Sequence, residues 1–160
     1  MKTLKYGLFI LVVFMIAPIT ILAQNKEVPV TTSSKDALKY FLDGRDKFDN
    51  NEFIAAASLF DKAIQADPNF AMAYLYRAQS GGGYNIFRQN LDKAISLIGK
   101  VSEGEKLEIQ YIQAYGEGNG QKQKELLDKL LVSFPSDKRV QSGAGTYYYN
   151  INDFSNALKY

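Results

Sequence analysis

From Ser33 onward, apolar side chains recur at steps of three and four residues, the period of one buried face of an α-helix. The spacing predicts a first helix over 35–49, opened by Ser33-x-x-Asp36, which has the form of a capping box. Asn50-Asn51 breaks it. Phe53, Ala56, Ala57, Phe60, Ala63 and Ile64 then mark one face of a second helix over 52–66. Asp67-Pro68-Asn69 ends that helix, because proline cannot extend the hydrogen-bond ladder and restricts the residue before it. A third helix follows over 70–79 and stops at Gly81-Gly82-Gly83. Further helices are predicted over 103–115 and 122–134, with Gly116-Glu117-Gly118-Asn119-Gly120 as the turn between them. Leu107, Tyr111 and Ala114 mark the inward face of the first of these two, and Leu126, Leu127, Leu130 and Leu131 that of the second. A last pair flanks the turn over 150–153 and carries Phe154, Ala157 and Leu158 on its second member.

The pattern repeats at a longer range. Leu91-Asp92-Lys93-Ala94-Ile95 echoes Phe60-Asp61-Lys62-Ala63-Ile64, three residues short of a 34-residue period. Tyr40, Gly44, Ala56-x3-Phe60, Ala63 and Pro68 recur in part as Gly145, Tyr148 and Ala157 near the end. Small residues at Ala56 and Ala63 let a partner helix approach closely, and Phe60 fills the gap between them.

This arrangement resembles the tetratricopeptide repeat, in which an aromatic, a glycine and a tyrosine on one helix are followed by Ala-x3-Phe and a proline on the next. The resemblance is strong at 37–70 and 138–160 and rests on spacing at 71–103 and 104–137, where Tyr111 stands in the glycine slot and Gln123 in the alanine slot. It implies an all-α fold, a right-handed superhelical solenoid of antiparallel helix pairs, with about three and a half units and the last one incomplete. In the family, the first helix of each unit lines a concave groove that takes a peptide or a partner helix. Carried onto this register, the groove residues are Leu38, Phe41, Arg45 and Phe48, then Met72, Leu75 and Gln79. Glu108, Ile112 and Tyr115 follow, and then Arg139, Ser142, Thr146 and Tyr149, while Tyr148 falls in a core slot. Members that grip a terminal carboxylate use a cluster of Lys, Arg and Asn. This chain offers only Arg45 and Arg139 there, so anchoring by apolar side chains is expected.

The N-terminus reads differently. Lys2 and Lys5 precede an apolar run from Leu8 to Ala23, and Gln24 opens a polar stretch. Residues 1–23 have the form of a secretory signal peptide cleaved after Ala23, the alternative being an uncleaved anchor. The run holds a proline and is short for a spanning helix. Residues 24–33 show no helical period and read as a flexible lead-in. The leader holds two of the 19 basic residues and none of the 17 acidic ones, so the remainder is formally neutral and shows no basic cluster for nucleic acid. A chain without cysteine or histidine builds no disulfide, no Ser-His or Cys-His nucleophile pair and none of the common zinc sites.

The remaining candidates for chemistry have structural readings. Ser80-Gly81-Gly82-Gly83 lacks the preceding strand and following Lys-Ser or Lys-Thr of a phosphate-binding loop. Gly116 to Gly120 supplies one carboxylate where a calcium loop needs several. Asp46, Asp49, Asn50, Asn51 and Glu52 form the densest set of oxygen ligands, and they also flank a helix end, where such residues cap. No catalytic residue, cofactor or metal is assigned. The expected function is an exported scaffold, periplasmic or secreted in a gram-negative bacterium, that binds a protein or peptide through the groove without catalysis. The alternatives are a ligand-binding component of nutrient uptake and the recognition arm of a larger enzyme or signalling protein.

Overall fold

The computed structural model describes residues 27–160, so the signal-peptide reading and the start of the lead-in lie outside the described residues. Those residues form eight α-helices and no strands. They are α1 (Lys35–Asp49), α2 (Phe53–Ala66), α3 (Ala71–Gln79), α4 (Tyr84–Ser96), α5 (Glu103–Gly116), α6 (Gly120–Ser133), α7 (Lys138–Asn150) and α8 (Phe154–Ala157). Each helix packs on the next, most extensively within the pairs α1/α2, α3/α4 and α5/α6, then at α2/α3 and α7/α8, and α3 also touches α5 directly. Among the described residues, no helix is long and apolar enough to cross a membrane.

Most helix limits fall within one residue of those read from the periodicity, and the exceptions have local causes. Ser34, one residue later than expected, caps α1 by accepting a hydrogen bond from the Ala37 N–H. A full capping box appears instead at Ser102 and Glu105, at the start of α5. Helix α6 starts two residues early because the Asn119 side chain accepts from the Lys122 N–H and holds the turn before it.

The turns inside three of the four pairs share one geometry. Asn51, Gly118 and Asn152 have φ of 61°, 68° and 61°, the left-handed region open to Gly and Asn at low cost. In each turn the left-handed residue donates its N–H to the carbonyl three residues back, Phe48, Tyr115 and Tyr149 in order. The residue after it reaches the carbonyl five back, at Lys47, Ala114 and Tyr148. The turn between α3 and α4 departs from this scheme, since Gly81, Gly82 and Gly83 all have positive φ. That is where the sequence is three residues short.

The main core joins α1 to α5. Phe41, Phe60, Phe70, Leu75, Leu91 and Ile109 are each at most 1% exposed. Rings of Phe41, Phe60, Phe70 and Tyr76 pack at 4.9–5.7 Å between centroids. Small residues permit this density: a Cβ built on Gly44 would lie 2.8 Å from Phe60 Cε1, well inside van der Waals contact. Around α5 to α7 the buried residues divide into smaller clusters, one of Val28, Leu130, Phe134 and Val140, another of Leu127, Ala144 and Tyr147. Tyr147 takes the buried position that the repeat register gives to Tyr148. Tyr148 is half-buried and stacks on Tyr160 at 6.0 Å.

Residues 27–33, which lack a helical period, are bound to the helices along their length. The Val28 N–H donates to Asp137 Oδ2 at 2.8 Å and the Thr31 N–H to Glu105 Oε1 at 2.7 Å. Thr31 Oγ1 donates to the same Glu105 carboxylate, and Thr32 Oγ1 donates to Asp67 Oδ2 at 2.6 Å. Val28 enters the cluster beside Phe134, and Val30 packs on the main core. The segment is therefore an extended strap running from the start of α7, past the start of α5, to the end of α2.

Candidate functional site

The odd-numbered helices face a common cavity of about 650 Å³. Helix α1 contributes Phe48 and Asp49, α3 contributes Leu75, Tyr76 and Gln79, and α5 contributes Glu108, Tyr111 and Ile112. Helix α7 supplies the wall from Lys138 to Thr146, and Leu127 and Leu130 of α6 close it from behind. The first helix of each pair supplies most of the lining, and of the second helices α2 adds Phe53 and α6 adds Leu127 and Leu130.

Of the residues expected in a groove, Phe48, Leu75, Gln79, Glu108, Ile112, Arg139, Ser142 and Thr146 line the cavity together. The others lie elsewhere. Phe41 and Met72 are 1% and 2% exposed and belong to the core, because the ring cluster draws them between α1, α2 and α3. Leu38 and Arg45 are half-buried outside the lining. Tyr115 and Tyr149 are exposed and pack edge-on against Phe87 and Phe154. Tyr76 and Tyr111 were not read as groove residues, although each lies three or four positions from one that was. That helical spacing was the available signal.

The cavity is apolar with a few polar groups of unusual state. Glu108 makes no hydrogen bond or ion pair among the described residues, and burial pushes its carboxyl up to about 8, with the nearby Asp137 carboxylate adding to the shift. Asp49 is also raised by burial. Burial likewise raises the Tyr111 hydroxyl to about 12, while it lies 3.4 Å from the Gly143 carbonyl. The buried Nε of Arg45 finds no partner among the described residues, and the guanidinium lies 5.8 Å from the centre of the Phe41 ring, a placement that partly compensates its charge. Arg139 is engaged: its Nη2 meets Glu27 at 2.8 Å and Asp137 at 3.6 Å.

Asp137 is fully buried and explains its own burial. Its Oδ1 accepts from the Arg139 and Val140 N–H groups as the cap of α7, and its Oδ2 accepts the strap. Two members of the oxygen-rich set at the end of α1, Asn50 and Glu52, are engaged in local structure. Asn50 Nδ2 donates to the Asp46 carbonyl, and Glu52 pairs with Lys47 at 2.9 Å. Among the described residues, no group of three or more acidic, histidine or cysteine side chains is arranged to hold a metal ion. No family model, curated protein or solved structure matches this chain.

Proposed function

We propose that the chain is a tetratricopeptide-type solenoid, right-handed and of about three and a half units, that binds an extended segment of a protein partner in the groove between its inner helices and performs no catalysis. The observation that carries this reading is the cavity lined by α1, α3, α5 and α7 in succession. The shared turn geometry at Asn51, Gly118 and Asn152 supports the repeat, since Asn152 follows Gly118 by one period of about 34 residues. Phe48 and Ile112, both partly exposed, offer apolar anchor points above the buried Leu75 and Val140, and Gln79, Glu108 and Thr146 offer polar ones for orientation. The leader-like first 23 residues place the chain outside the cytoplasm in this reading.

A second reading, a ligand-binding role in nutrient uptake, draws on the cavity volume, which falls in the range of small-molecule sites. Selection of binders from a displayed random peptide library, alongside a panel of sugars and free amino acids, separates the two. The groove reading predicts a peptide whose binding is lost in Ser142→Arg/Thr146→Arg. Both positions are exposed and line the cavity, so the fold tolerates the change. Binding that survives the double substitution refutes the groove reading, and saturable binding of a sugar or amino acid alone favours the second.

A further inference from the structure

The strap and the groove share residues. Leu130 and Val140 pack against Val28 on one side and line the cavity on the other. Arg139 lines the cavity while its guanidinium is paired with the strap's Glu27. We infer that residues 27–32 are a displaceable clasp, whose seating holds the Arg139 guanidinium on Glu27 and whose release frees it for the other carboxyls of the same cavity.

The attachments of the strap fit a clasp. It pairs with no strand; besides the two valines, its anchors are hydrogen bonds and an ion pair to the side chains of Asp67, Glu105, Asp137 and Arg139. Such a segment opens locally without unfolding the helices beneath it. The Glu27 end is the weakest, because that carboxylate is largely exposed and its pair is screened by water. Only Val28 and Val30 are packed, and they sit at alternate positions, as an extended chain requires.

Two alternative partners make the arrangement bistable. With the strap seated, Arg139 is bound by Glu27 and by Asp137. With it released, Arg139 keeps Asp137 and gains access to Asp49 and Glu108, the two groove carboxyls that lack partners. Both already feel Arg139, which lowers the pKa of each against the effect of burial. Around Glu108 the other charged groups are Arg45 from α1, Glu105 on its own helix and Asp137 at the start of α7. None of these changes partner when the strap leaves, except that Glu105 and Asp137 lose their strap donors. The clasp therefore sets whether the groove presents a neutral, unpaired acid or an Arg–carboxylate pair to an incoming ligand.

The test needs no partner. In the full chain, Glu27→Gln/Thr31→Val removes the ion pair and the Thr31 hydroxyl bond while leaving both valines and every helix residue in place. Amide exchange at Val28 and at position 31 is expected to rise by about tenfold or more. The carboxyl of Glu108, followed by carbon-detected NMR titration, is expected to fall below its value in the unaltered chain. Strap amides that stay protected show that the segment is not displaceable and overturn the inference. Faster exchange with an unchanged Glu108 titration makes the strap a passive tether and overturns it equally. Glu27→Gln alone, at an exposed pair, gives the same readings in smaller measure should the double variant lose helicity.

Discussion

Gly44 and Gly145 occupy the same slot of the repeat pattern, in α1 and α7, yet the packing around them predicts opposite responses to alanine. In both helices the substitution gains intrinsic helix stability of about 1 kcal/mol. At Gly44 the new Cβ would lie 2.8 Å from Phe60 Cε1 and 3.1 Å from Leu59 Cβ. The Phe60 ring has no room to retreat, being fully buried with Phe41, Tyr76 and Phe48 centred 5.7, 5.6 and 6.5 Å away. Overpacking of this kind costs roughly 1–3 kcal/mol, which exceeds or cancels the helical gain. At Gly145 the nearest atoms are 3.6 and 3.7 Å away, ordinary contact distances. Gly44→Ala is therefore expected to destabilise by up to about 2 kcal/mol, and Gly145→Ala to stabilise by up to about 1 kcal/mol. Urea and thermal denaturation followed by helical circular dichroism measures both, with about 4 °C expected per kcal/mol. In a Phe60→Leu background the cost of Gly44→Ala should shrink, because the ring that opposes the methyl group is gone. A stabilising Gly44→Ala, or changes of the same sign at both sites, refutes the packing argument.

Phe41→Ala is expected to cost about 3–5 kcal/mol and to act on stability in place of binding, since the ring lies in the core. Denaturation of this variant, compared with Tyr149→Ala at an exposed ring, checks the distinction. Stability should also fall with rising pH. The Glu108 carboxyl stands at about 8 in the fold against an ordinary 4.5, so the folded chain holds a proton that the unfolded chain has released. Its contribution is complete below the ordinary value and is lost as pH rises through the folded one, with a slope of at most about 1.4 kcal/mol per pH unit. Asp49, also raised, adds in the same direction. Glu108→Gln should flatten the denaturation midpoint across this window, and an unchanged slope contradicts the assignment.

The helices were legible because their apolar faces are periodic and their ends carry Pro68, Pro135, paired asparagines or glycines. Eight positions that line the cavity were legible because the inner face of a helix follows from its register once its outer partner is known. Phe41 and Met72 lie in the core for physical reasons: the Phe41 ring packs on Phe60, Phe70 and Tyr76, and α3, which carries Met72, is enclosed so that all but three of its residues are buried. The strap was not legible. Val28 and Val30 alternate over too few residues to stand out from a loop. Their seats, Glu105 and Asp137, are capping residues whose further use depends on the approach of α5 and α7 to a distant segment.

The claim that binding occurs between the inner helices is tested most directly by NMR mapping of a library-selected peptide on the isotope-labelled chain. The account predicts perturbations concentrated at Phe48, Leu75, Glu108, Ile112 and Thr146, with exposed Ile54 of α2 and Val132 of α6 unmoved. Perturbations centred on Ile54, Val132 or the outer faces of α2, α4 and α6 would contradict it.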